Sequence, residues 1–259
     1  MKNLNEGVSY DFRRKFVKYE PDNEDYLIIG NKDFVPVPIY SKFKGKKLIS
    51  LFERIQDGPY GRDRADANPV IFALKGEQNW KFRSKADFFE LFKCFLRIVK
   101  ELKETYDTVI VVPSSNKLST EAMRFIAKQV KAKNKLSGII EKAGKIDVLA
   151  NSVNWDKMEK DGYSDEDMDR FESYFKKMPN NSFRFHDIPL KERKYIKNIF
   201  HFPEDRVIEC AKYFNDKKVL VLDDTMATGK SLNDTCSVII DTFDVKSITI
   251  MTIFSKVKR

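Results

Sequence analysis

Two adjacent carboxylates, Asp223 and Asp224, are the residues of this chain best placed to do chemistry. They follow Val219-Leu220-Val221-Leu222 and precede Thr225-Met226-Ala227-Thr228-Gly229-Lys230-Ser231. Neighbouring acids can accept hydrogen bonds from a pair of hydroxyls, and charge-assisted bonds of this kind contribute about 1.5–3 kcal/mol each. The loop after them is rich in small hydroxyl side chains and leads into a helix-forming segment. The unpaired N–H groups of a helix start point outward and receive anions. The stretch therefore combines a phosphate cradle with two acids. A P-loop shares the ending Gly-Lys-Ser, but it requires a glycine five residues before its second glycine, and Asp224 stands there.

The elements that must hold these residues can be read outward from them. Four β-formers bounded by a turn predict a buried parallel strand before the acids. Ser231–Phe243 fits a helix, and Ser247–Phe254 fits a further parallel strand. A second unit of the same kind lies upstream: Asp107–Pro113 reads as a buried strand, Ser114-Ser115-Asn116-Lys117 as a polar loop, and Ser119 to about Lys133 as a helix. Ser84-Lys85-Ala86-Asp87 predicts the cap of a long helix. Its Phe88, Leu91, Phe92, Phe95, Leu96, Val99 and Leu102 recur at helical spacing, as a face covering a sheet does. Together these elements predict a doubly wound α/β fold.

The stretch from Val219 to Ser231 resembles the motif of the type I phosphoribosyltransferases that binds 5-phosphoribosyl 1-pyrophosphate (PRPP). That motif has four apolar residues, two acids, two mostly apolar positions, a small residue, Thr-Gly, any residue, then Ser or Thr. Thr225 departs from it where an aliphatic residue is commoner, and Ala227 where some purine enzymes carry aspartate. The resemblance implies a central, mostly parallel sheet flanked by helices and a Mg²⁺-dependent transfer of phosphoribosyl to a nitrogenous base. It assigns Asp223 and Asp224 to the ribose hydroxyls, and as candidate catalytic residues and Mg²⁺ neighbours, although PRPP itself would hold most of the metal. It assigns Thr225, Met226, Ala227, Thr228, Gly229, Lys230 and Ser231 to the 5′-phosphate, and Ser114, Ser115, Asn116 and Lys117 to pyrophosphate. Leu190–Phe200 is similar in loose outline to a basic segment of the ComF-like branch, which makes Arg193, Lys194 and Lys197 candidates for a lid. The zinc-binding cysteines usual in that branch are absent.

The remainder is less specific. Residues 1–65 read as an N-terminal accessory region, with strand-like Tyr26–Ile29 and Phe34–Tyr40, and 66–259 as the α/β domain with an insertion at about 134–203. Within the insertion, Ile146–Leu149 reads as a strand and Ser164–Asp167 as the cap of a short helix carrying Met168, Phe171 and Phe175. The 259 residues are 42% hydrophobic, enough for a core, and no run approaches a membrane span. Cys94, Cys210 and Cys236 are too scattered for a disulfide framework or zinc ribbon, so a reducing cytoplasm is the expectation. His186 and His201 show no metal-ligand spacing and read as surface residues. The net charge of +9 leaves nucleic acid open as a partner, although its lysines are spread along the chain, and a homodimer is equally open. Two function classes follow: a phosphoribosyltransferase, or a regulatory or nucleic-acid-associated protein that keeps a PRPP pocket without turnover.

Overall fold

A computed structural model describes residues 6–21, 27–28, 39–43, 45–54, 69–114, 117–183, 187–189, 191–226 and 229–255. The N-terminal part holds β1 (Glu6–Asp11), β2 (Phe16–Pro21), β3 (Leu27–Ile28), β4 (Ile39–Phe43) and β5 (Lys46–Arg54). Then come α1 (Pro69–Lys75), β6 (Lys81–Phe82), α2 (Lys85–Lys100), β7 (Thr108–Val111), α3 (Leu118–Gln129) and β8 (Asn134–Leu136). A further segment carries β9 (Glu141–Lys142), α4 (Lys145–Asp147), α5 (Trp155–Lys160), α6 (Asp165–Lys177), β10 (Phe200–His201) and α7 (Val207–Phe214). The chain closes with β11 (Lys218–Met226), α8 (Lys230–Thr242) and β12 (Ser247–Ser255).

The main sheet has the order β3-β5-β12-β11-β7-β8, with β4 also on β5. From β5 to β8 the neighbouring pairs are all parallel, and β3 and β4 pair antiparallel with the outer edge of β5. β11 lies in the middle, and Val219 to Asp224 are all buried. Its alternation sorts the core. Leu220 and Leu222 face a cluster built with α1, α2, α3 and the small β1-β2-β6 sheet. Val219 and Val221 face a second cluster, built with α8, α7 and the segment from 136 to 202.

Several expectations change here. The strand Lys46–Arg54 falls in the expected accessory region, yet it pairs with β12 along Thr249↔Lys47 to Ser255↔Glu53. A boundary near residue 65 therefore does not separate it from the central sheet. Residues 29–38, including Pro36 and Pro38, lie outside the described residues. The expected insertion also begins inside the sheet, since Asn134–Leu136 pairs with β7. Ile146–Leu149 is not a strand. The amides of Lys145 and Ile146 bond to the backbone and side-chain oxygens of Asn181, and Val148 donates to Gly144, so this backbone closes a helical turn. The expected capping residues of α6 form a full capping box between Ser164 and Asp167. Among the described residues no helix is long and apolar enough to cross a membrane.

The cap of α2 reaches beyond its helix. Asp87 is buried; it accepts a hydrogen bond from Ser84 Oγ at 2.6 Å and another from the Tyr19 amide of β2 at 3.0 Å. One carboxylate thus fixes both the helix start and its angle to the small sheet. Asp87→Ala should lower unfolding stability by about 3 kcal/mol in a urea titration, because two bonds to a buried charge disappear. Lys85→Ala next to it should change stability by no more than about 0.5 kcal/mol.

Candidate functional site

The connections around β11 and β7 leave the sheet in opposite senses. The chain passes from β7 through α3 to β8 at one edge, and from β11 through α8 to β12 in the other direction. Right-handed crossovers then demand helices on opposite faces. Ala122, Met123, Ile126 and Ala127 of α3 lie in the first cluster, and Leu232, Cys236 and Ile239 of α8 in the second. The strands β11 and β7 are neighbours, so the loops after them part at a topological switch point, where open α/β sheets bind ligands. Both expected loops, 114–117 and 227–229, leave these two strands.

In both helices leaving this point the residue before the first turn supplies no side-chain cap: Lys117 precedes α3 and Gly229 precedes α8. Gly229 sits in the left-handed region at φ 70°, a conformation glycine adopts without a Cβ penalty. Ser231 is half-buried in the first turn of α8, and Lys230 pairs with Asp234 one turn on. Thr225 and Met226 are half-buried at the end of β11. Ser114 is exposed after β7, and Lys117 is exposed at the start of α3. Ser115, Asn116, Ala227 and Thr228 lie outside the described residues.

The two acids depart from the expected arrangement. They lie inside β11, which continues to Met226, and neither projects from the loop beyond it. Alternation puts Asp223 on the face of Val219 and Val221, and Asp224 on the face of Leu220 and Leu222. Both are more than nine-tenths buried. Asp223 curls back to accept the Asp224 amide at 2.8 Å, and Thr225 Oγ1 donates to Asp224 at 2.5 Å. The Lys75 ammonium lies 2.9 Å from Asp224 Oδ2, with 15% of the lysine side chain and 6% of the aspartate exposed. Lys75 was not among the expected site residues. The signal for it is slight: a lysine ending the short apolar run Pro69–Lys75, where a cation suits the negative end of a helix.

The expected lid is built into the core. Tyr195, Ile196 and Ile199 are fully buried, and Glu192 nearly so. Arg193 Nε donates to the Ile188 carbonyl, Lys194 Nζ pairs with Asp161 at 2.7 Å, and the Lys197 amide bonds to Ser152. Moving this segment as a flap would expose Tyr195 and its neighbours, so these three cations sit on a packed part of the insertion. His201 is exposed as expected, and His186 lies outside the described residues. None of the three cysteines forms a disulfide and all are buried, and burial pushes the Cys236 thiol up to about 12.

With this geometry in hand, comparison with known proteins adds no assignment: the chain matches no protein-family model and no curated protein.

Two measurements follow. Lys75→Met leaves Asp224 buried without its cation and should cost about 3–5 kcal/mol in denaturant unfolding. Adding Asp224→Asn should restore most of that loss, whereas additive losses would show that the pair is not coupled. The second concerns Asp161, whose carboxyl the Lys194 and Tyr195 hydrogen bonds hold below its ordinary value of 3.8. Its contribution is present above that unfolded value and is lost as pH falls through the lower folded one. Asp161→Asn should therefore flatten the acid side of the stability profile below about pH 4, and flatten the far alkaline side as well, because Asp161 holds the Lys194 ammonium above its ordinary value of 10.5.

Proposed function

We propose that the chain binds PRPP where the loops after β7 and β11 part, and transfers its 5-phosphoribosyl group to a nitrogenous acceptor with release of pyrophosphate. The observation that carries this reading is the junction from Asp223 to Ser231: acids on the middle strand, a left-handed Gly229, and a helix start at a topological switch point. In this reading the first-turn amides of α8 and the hydroxyls of Thr228 and Ser231 take the 5′-phosphate. The loop Ser114–Lys117 takes pyrophosphate, and Asp224, on the Lys75 side of the strand, accepts from a ribose hydroxyl while Asp223 holds the strand end through the Asp224 amide.

The chemistry asks little of a protein nucleophile. The C1–O bond to pyrophosphate breaks with its electron pair leaving on pyrophosphate, a C1–N bond forms, and the acceptor loses a proton. Positive charge builds on the ribose ring as the bond opens, and buried carboxylates nearby stabilise it. Asp224 must exchange its Lys75 partner for a ribose hydroxyl, which frees an ammonium beside an anionic ligand. The acids face opposite sides of the sheet and one already holds a cation, so they do not fit a resident metal site. Among the described residues there is also no group of three His, Cys, Asp or Glu that could hold a metal ion. Mg²⁺ belongs in this reading to the substrate, carried on pyrophosphate oxygens.

A second reading rests on the same pair. Acids this buried, one of them neutralised by Lys75, suit a protein that binds PRPP without turning it over. Calorimetry with PRPP and Mg²⁺, followed by pyrophosphate release across a panel of bases, separates the two. A transferase releases pyrophosphate with at least one base, and a sensor binds without release. Replacing both acids by asparagine should weaken PRPP binding at least tenfold, and unchanged binding in that variant would sink both readings.

A further inference from the structure

On the Asp224 face of the sheet lies a cavity of about 150 Å³ to which neither function reading assigns a role. Among the described residues every lining residue except Glu121 is apolar, and the outer wall is aromatic. Phe92 meets Phe125 edge-to-face at 5.4 Å and stacks on Phe88 at 6.1 Å, while Phe88 and Phe125 remain 38% and 41% exposed. Such exposure of large rings beside an open cavity is unusual for a finished core, where apolar side chains fill space to crystal-like density.

The position of the cavity connects it with the acids. Leu74 lines it and directly precedes Lys75, whose ammonium holds Asp224. Ile253 lines it from β12, between the residues that pair with Asp223 and Thr225. Leu118 lines it as the first residue of α3, immediately after the loop 114–117. Three walls of the cavity are thus the immediate neighbours of the three parts of the candidate site.

We infer that this cavity receives the acceptor, and that the acceptor is a flat aromatic ring with few polar groups, of benzene to benzimidazole size. The inference rests on the phosphoribosyl-transfer reading for the word acceptor; the ring preference stands on the lining alone. An apolar space of about 150 Å³ is of the size that takes benzene-sized guests. A purine or pyrimidine with several amide edges leaves them unpaired among phenylalanines, which weakens its binding relative to a ring with few polar edges. A ring with one heteroatom edge buries its carbocycle against Phe92 and Phe125 and turns that edge toward Leu74 and Ile253, the lining residues next in sequence to Lys75 and in register beside the acids.

The test is a titration of the full chain with benzimidazole and with hypoxanthine, by calorimetry or ligand-observed NMR, with and without PRPP and Mg²⁺. Benzimidazole should bind at least tenfold more tightly than hypoxanthine. Ala122→Met, which fills the cavity from α3, should weaken it at least tenfold, and so should Phe125→Ala, a change at a part-exposed ring that the fold tolerates. Equal or tighter hypoxanthine binding, or benzimidazole binding unaffected by either variant, overturns the inference. A dimer that Phe125→Ala dissociates and that blocks benzimidazole would assign the cavity to a second copy and overturn it as well. If benzimidazole binds as described while PRPP does not, the transfer reading falls and the ring preference stands. If PRPP binds and benzimidazole does not, the cavity inference falls alone.

Discussion

A right-handed crossover lets a parallel strand send its helix to one face of the sheet when the chain moves one way, and to the other face when it moves back. Much of this molecule follows from that constraint acting on β11 and β7. Because they are neighbours with oppositely directed connections, α3 and α8 must cover different faces. Two helix starts then follow neighbouring strand ends, and their first-turn amides put partial positive charge there before any charged side chain is counted.

The same strand geometry acts against a simple picture of paired acids. Side chains alternate along β11, so adjacency in sequence separates Asp223 from Asp224 across the sheet. Each then finds a local partner: Asp223 the amide after it, Asp224 a lysine from α1. Burying a carboxylate without such a partner costs several kcal/mol, so the Lys75 pair belongs to the folding of this face as much as to its chemistry. A ligand that recruits Asp224 must offer a hydrogen bond good enough to replace an ammonium, or use the freed ammonium itself.

The fold was legible where periodicity was clean. The apolar runs at 108–111, 219–222 and 248–254 are central strands, and the Ser84–Asp87 cap opens α2. Burial on α2 is centred on Leu91, Cys94, Phe95, Ile98 and Val99, with Phe88 turned partly to solvent. That shift is physical: the outer phenylalanines line a cavity and do not seal the core. Legibility failed where partners come from far along the chain. Nothing local marks Lys46–Arg54 as a neighbour of β12, because parallel pairing leaves no turn signature. Ile146–Leu149 has strand composition, yet Asn181 takes its first amide and a helical turn results. The basic run 191–197 read as a candidate lid because lysine and arginine dominate it, while Tyr195, Ile196 and Glu192 bury the backbone they share. In the site itself, the acids, the glycine and the two loops could be found from their types and spacing, and the Lys75 partner could not.

The central claim is that an anionic sugar ligand lands where the β7 and β11 loops part. Hydrogen–deuterium exchange with and without PRPP and Mg²⁺ tests it most directly, because it reports where backbone amides become protected. The account predicts protection in 112–119 and 223–233, the two strand ends and helix starts, with little change in the packed segment 191–201. Protection confined to 191–201, or none at either strand end, would contradict it.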